Sequence, residues 1–143
     1  MTAPFPHLYQ VSLVTEEGGA SLLAPPRVPI LGGAPPEFDG RDDVWSPEAL
    51  LLASVSLCVQ TTFQALARRQ ELGLRGWRSR SEGVVDKSAS GLAFTAIRVD
   101  VDLDVRTEDV ARAEKLAATI ARHCLVSNSL KTPVTVTVRV KAA

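Results

Sequence analysis

Two side chains in this sequence can act as soft nucleophiles: Cys58 and Cys124, 66 positions apart. A thiol reacts as its thiolate, which can attack oxygen or sulfur and enter the oxidation ladder at the sulfenic acid. Cys58 closes an almost wholly apolar or small run, "EALLLASVSLC". Burial of that kind raises a thiol pKa, so a reactive cysteine here needs a cationic neighbour to offset it. The plain alternative is two inert core thiols, because cysteine is among the most buried residue types. His7 and His123 are the other soft ligands, and with the two cysteines they show no recognised metal-ligand spacing. No metal site is expected. His123 adjoins Cys124, but neighbours on a helix point about 100° apart. It reads as a structural or surface residue.

The elements that must position these thiols are legible in outline. Ser46 is a good N-cap, Pro47 suits the first helical position, and Glu48 sits well against the positive end of the dipole. A helix is therefore expected from Pro47 through Arg68 and Arg69, with Gly73 as its stop. It is apolar all round near Cys58, which implies burial on several sides or a partner subunit. Ahead of it, residues 7–14, 20–24 and 28–31 read as short strands. A Gly/Pro-rich loop over 32–45 is long enough to be functional.

After the helix, "RGWRSRSEGVV" and "LAFTAIRVDVDLDV" read as a hairpin around the turn "DKSASG". Ile97, Val99, Val101, Leu103 and Val105 alternate with Arg98, Asp100, Asp102 and Asp104, giving one buried and one wet face. The aspartates suit a solvated face and lack the glycine turn and final Glu of a calcium loop. Thr107 is expected to cap a second helix over "EDVARAEKLAATIARH". "CLVSNSLK" adds a short helical piece, and "PVTVTVRVK" closes as a strand. The order does not alternate as a parallel βαβ chain does. The expected class is α+β, mostly antiparallel sheet with two main helices, in one domain over residues 1–143.

Composition narrows the function. Sixteen basic residues balance sixteen acidic ones. No overall field favours nucleic acid or an anionic membrane, and neither is an expected partner. The N-terminus lacks the basic and apolar regions of a signal peptide, and no unbroken apolar run reaches about 18 residues. A cytoplasmic protein that does not span a membrane is the expectation. Two cysteines there are no secreted disulfide framework.

"SPEALLLASVSLC" resembles the first cysteine motif of the OsmC/Ohr family, the osmotically inducible and organic hydroperoxide resistance proteins. That motif runs from a Pro-Glu start to a reactive cysteine ten residues after the Glu. "HCLVSNSLK" resembles the family's second motif, Cys-Pro-x-Ser, and the element order fits along nearly the whole chain. The resemblance implies an OsmC-like fold in an intertwined homodimer. It implies a thiol-dependent peroxidase acting on organic hydroperoxides. Cys58 would be the attacking thiol, oxidised to a sulfenic acid, and Cys124 would condense with it to a disulfide. An external dithiol, typically a dihydrolipoyl group, would be the reductant, with no bound cofactor. Glu48 matches the family's Glu that holds the activating Arg.

The Arg itself is where the sequence departs from the pattern. One branch carries it in the first β-turn, which here reads "EEGG". The other carries it beside a Phe in the loop before Pro-Glu, where Glu37 stands next to Phe38. Arg41 is the candidate, with Arg27 second, and a solvated Arg41 paired with Asp42 or Asp43 is the alternative. Leu125 replaces the Pro after the second cysteine. In a continuous helix, Glu48 and Cys58 lie about 15 Å apart along the axis. Either the helix breaks, or Glu48 serves a second subunit's thiol. If the missing Arg disables catalysis, a non-catalytic small-ligand binder or a redox sensor on the same fold is the competing reading.

Overall fold

A computed structural model describes residues 3–143. The chain divides into two compact units, residues 1–50 and 51–143. In the first, β1 (Ser12–Glu16), β2 (Gly19–Leu23) and β3 (Ile30–Gly32) form an antiparallel meander. Strand β1 starts later than the alternation of residues 7–14 suggests and runs on to Glu16, because its pairing is set by the tight Glu17–Gly18 turn. Gly18 there has φ +75°, a left-handed conformation that glycine adopts without a Cβ penalty. The loop over 32–45 contains a 3-10 turn (Pro36–Phe38), and Trp45 bridges back to Gly32.

Helix α1 (Pro47–Arg69) begins as expected, with the Ser46 hydroxyl accepting from the Ala49 amide at 3.1 Å. Val55, Val59, Phe63 and Ala67 recur every four residues and are fully buried. They share one core cluster with Ile97, Val99, Val101, Leu103 and Val105, the apolar face read from the sequence. By length and composition α1 could cross a membrane, with a mean hydropathy of 1.6 over its most apolar 18-residue stretch. A core helix passes the same test of length and composition, and scattered Ser, Thr and Gln are what keep the apolar run short while its mean stays high. In this fold the buried stripe of the helix faces the sheet.

That sheet contains β4 (Leu74–Ser88), β5 (Gly91–Val105) and β6 (Val134–Ala142). Pairing of β4 with β5 runs from Leu74↔Val105 to Ser88↔Gly91. The turn is therefore only Ala89–Ser90, shorter than the six residues of "DKSASG", with Gly91 at φ +110° just beyond it. Strand β6 pairs with β5 in parallel, from Ile97↔Val134 to Val105↔Ala142. A parallel pair needs a crossover of a dozen or more residues, and the helical segment between the two strands supplies it. The sheet is mixed, with one antiparallel and one parallel pairing.

The second helical stretch is not one helix. It consists of a 3-10 turn (Thr107–Asp109), α2 (Val110–Ala117), α3 (Ile120–His123) and α4 (Leu125–Asn128). Thr107 makes no side-chain cap. The organising residue is Asp109, which is fully buried. Its carboxylate accepts from the Gly73 amide at 2.8 Å, from Arg106 Nε at 2.8 Å and from Arg112. Those arginines also donate to the Glu71 and Gln70 carbonyls at the end of α1. Gly73 is therefore not the helix stop. Glu71, at φ 55°, turns the chain, while a Cβ on Gly73 would lie 2.1 Å from Arg106 Nε. The Gly73 amide, then Arg112 and Arg106, outweigh burial and lower the Asp109 pKa to about 2.

A depressed carboxylate contributes stability in full above its unfolded pKa and loses it as pH falls towards the folded value. Asp109→Asn is expected to lower Tm at neutral pH. The gap between variant and wild type should close as pH falls from about 4 towards 2, read by thermal melts across pH.

Candidate active site

Cys58 lies in the middle of α1 and is partly exposed, while Cys124 is fully buried between α3 and α4. The core packing of α1 on β5, with α2–α4 joined to the same cluster, brings the two free thiols together. The Val126 amide donates to Cys58 Sγ at 3.5 Å. Thr62, one turn along α1, is 3.9 Å from it. Cys124 Sγ in turn accepts from the Ser127 hydroxyl at 3.1 Å.

These contacts move the two thiols in opposite directions. Burial raises the Cys58 pKa, but donors from Val126, Cys124, Thr62 and Leu125 outweigh it and leave the thiol more acidic than usual. Burial also raises Cys124, and the facing Cys58 sulfur adds to this. Its bonds from Ser127 offset only part of the rise, leaving it less acidic than usual. The arrangement leaves Cys58 the more acidic of the two thiols and Cys124 the less acidic.

The sequence-derived acid and base sit elsewhere along the chain. Helix α1 is unbroken from Pro47 to Arg69, so Glu48 and Cys58 are about 15 Å apart along its axis. Among the described residues, the Glu48 Oε2 oxygen is shielded from solvent and has no hydrogen-bond partner. Arg41 forks onto Asp43, with Nε donating to Oδ1 at 2.7 Å. Its guanidinium also lies over the β1–β2 turn, where a Cβ on Gly18 would be 2.5 Å from Arg41 Nη1. Arg27 donates to the Ala24 carbonyl at 3.2 Å. His123 is exposed and Asn128 donates to the Arg122 carbonyl, so of these three polar residues around Cys124 it is Ser127 that bonds its sulfur. Sequence reasoning missed Thr62, although its i+4 spacing from Cys58 was a usable signal. It also missed the Val126 amide, because a backbone donor leaves no residue-type signal.

Fold and site together define an α+β domain with a paired-thiol centre. The profile of the OsmC-like protein family matches residues 40–139, and the chain belongs to that family. The family is associated with peroxide-related redox function. No curated protein matches the chain. Among solved structures, it is similar to an OsmC-like protein of unknown function from Vibrio cholerae, at 16% identity and TM-score 0.80, covering 92% of this chain and 100% of that one. An organic hydroperoxide resistance protein OsmC from Legionella pneumophila shares 19% identity at TM-score 0.69, over 95% of this chain and 99% of that one. An organic hydroperoxide resistance protein from Elizabethkingia anophelis shares 16% identity at TM-score 0.70, over 97% and 100% respectively. At these identities the likeness establishes the fold.

The thiols should separate by reactivity. At neutral pH, iodoacetamide is expected to label Cys58 at least about tenfold faster than Cys124, read by peptide mass spectrometry on the native protein. Equal rates would contradict the division of roles.

Proposed function

We propose that the protein reduces organic hydroperoxides to alcohols by a two-cysteine cycle. The observation that carries this reading is that Val126, two residues after Cys124, donates its amide to Cys58 Sγ at 3.5 Å, which brings the two thiols into one site, with Cys58 more acidic than usual and Cys124 less. The Cys58 thiolate attacks the terminal oxygen of the hydroperoxide. An S–O bond forms, the O–O bond breaks, and the alkoxide takes a proton and leaves as the alcohol. The Cys124 sulfur then attacks the sulfenic acid, forming the disulfide, and the hydroxyl leaves as water with the Cys124 proton. An external dithiol, such as a dihydrolipoyl group, reduces the disulfide by exchange and departs oxidised. The protein supplies no other cofactor in this scheme. The apolar side chains around Cys58 favour an organic hydroperoxide over hydrogen peroxide. A cytoplasmic setting suits the cycle, since it keeps both thiols reduced at rest.

The working unit in this reading is a homodimer. Leu57, beside Cys58 on α1, is 58% exposed in the single chain. A two-fold contact would cover that apolar surface and repeat each site. The unbroken α1 leaves Glu48 to act across the interface, and its unpartnered oxygen is suited to hold an Arg there. Arg41 is the proposed cation, exchanging Asp43 for Glu48 and the thiolate. The competing roles are a ligand binder or a redox sensor. The latter draws on the bonding of Cys58, which comes wholly from uncharged groups.

Turnover of cumene hydroperoxide with a dithiol is the test. Cys58→Ser is expected to fall to the uncatalysed background, and Cys124→Ser to stop after about one turnover as Cys58 overoxidises. Rates equal to wild type in Cys58→Ser would rule the mechanism out. Fast oxidation of Cys58 without turnover would favour the sensor. Arg41→Ala is expected to slow the peroxide step roughly tenfold, equivalent to about one pKa unit at the thiol. Light scattering should give twice the mass of one chain, and a monomer would remove the proposed role of Glu48.

A further inference from the structure

We propose that the Thr62 hydroxyl is a catalytic group of this site, holding by a hydrogen bond the oxygen that Cys58 takes from a peroxide. The inference rests on the reading of Cys58 as the attacking thiol and adds a residue that touches the reacting oxygen.

A hydroxyl on a helix ordinarily donates to the backbone carbonyl three or four residues back. Thr61 does so, to Leu57 at 2.9 Å and to Cys58 at 3.3 Å. Thr119 and Ser129 do the same, to Leu116 and Leu125, each at 2.9 Å. Thr62, the next residue along α1, does not. Its hydroxyl stands 3.9 Å from Cys58 Sγ, and among the described residues that is its one hydrogen-bonding contact. The direction follows from the helix: Cβ atoms tilt towards the N-terminus, so residue i+4 reaches back over residue i. The Cys58 carbonyl already accepts from Thr61, which leaves the Thr62 proton on the side of the sulfur.

At 3.9 Å the hydroxyl is too far from the sulfur for a strong direct bond. The gap suits one atom between them. An oxygen bonded to Sγ, and accepting a hydrogen bond of about 2.8 Å from Thr62, spans that distance when the angle at the oxygen is open. Cys58 is partly exposed, so an oxidant can reach it. In the step itself the thiolate attacks the terminal oxygen of the peroxide. The S–O bond forms as the O–O bond breaks. Sulfur is oxidised to the sulfenic acid, and the peroxide is reduced to an alcohol, whose oxygen takes its proton from solvent. Thr62 donates to the transferred oxygen and keeps its own proton throughout. It orients that oxygen on the sulfur before the attack and holds the sulfenic acid after it.

The test compares two reactions of Cys58 in the native protein, without dithiol, each followed by peptide mass spectrometry. One is oxidation by hydrogen peroxide or cumene hydroperoxide, the other alkylation by iodoacetamide. Both consume the thiolate, so the ratio of their rates at one pH cancels any change in ionisation, and only the first places an oxygen on the sulfur. Thr62→Val keeps the shape and removes the hydroxyl. It is expected to lower the ratio of oxidation to alkylation about three- to tenfold, the loss of one hydrogen bond. Thr62→Ser is expected to keep the wild-type ratio. If the valine variant loses its circular dichroism, Thr62→Ala removes the same hydroxyl and should show the same fall. A wild-type ratio in the variant without the hydroxyl would overturn the inference, as would a ratio in Thr62→Ser as low as in Thr62→Val. Hydrogen peroxide oxidises accessible thiolates in general, so its ratio decides the inference even where wild type shows no dithiol-dependent turnover of cumene hydroperoxide. That absence of turnover would reject the peroxidase reading alone.

Discussion

An ionisable sulfur on an apolar helix has to be solvated by the protein itself. Water reaches Cys58 only in part, and burial alone would keep its proton on. The protein answers with polar neighbours: the Val126 amide at 3.5 Å and the Thr62 hydroxyl, one helical turn away, at 3.9 Å. That arrangement depends on α1 lying against β5, because the four-residue rhythm of Val55, Val59, Phe63 and Ala67 sets which face of the helix Cys58 can occupy. It depends equally on the chain breaking its helix at Cys124. A continuous helix through residues 120–128 would bond the Val126 amide internally and leave it unavailable to the sulfur.

The break has a support at each end. Downstream, Ser127 and Asn128 bond back to Cys124 and Arg122 and hold the short α4 in place. Upstream, Asp109 ties the start of α2 to the end of α1 through Gly73, Arg106 and Arg112. A buried carboxylate is costly unless it is paired and hydrogen-bonded. Here every bond it makes also fixes one of the segments that carry the thiols, so the polar cluster specifies geometry as well as offsetting its own burial.

The charged partners follow a different logic. Arg41 is held by Asp43 in the loop that precedes α1, over the β1–β2 turn. Two places where an activating Arg was sought, that turn and that loop, thus converge on one side chain in space, although they are far apart in sequence. Glu48 presents a carboxylate oxygen with no partner on its own chain among the described residues. A donor on a second chain would relieve that cost, which is why a dimer and the role of Glu48 stand or fall together.

Much of the architecture could be read directly. The Ser46–Pro47–Glu48 start of α1, the alternation of β5 and the two cysteine motifs are local patterns, and local patterns survive translation into structure. The misreadings were long-range. Gly73 looked like a helix stop, but close packing of Arg106 is what requires it. Residues 108–123 looked like one helix, and β6 gave no sign that it would lie parallel to β5. Periodicity reports which face is apolar and says nothing of what meets that face. By itself, the sequence determined the class of fold, the family and the identity of the two thiols. Only the tertiary structure decided that they share one site and that a backbone amide, from Val126, reaches the Cys58 sulfur, because a backbone N–H leaves no mark in the sequence except where proline removes it.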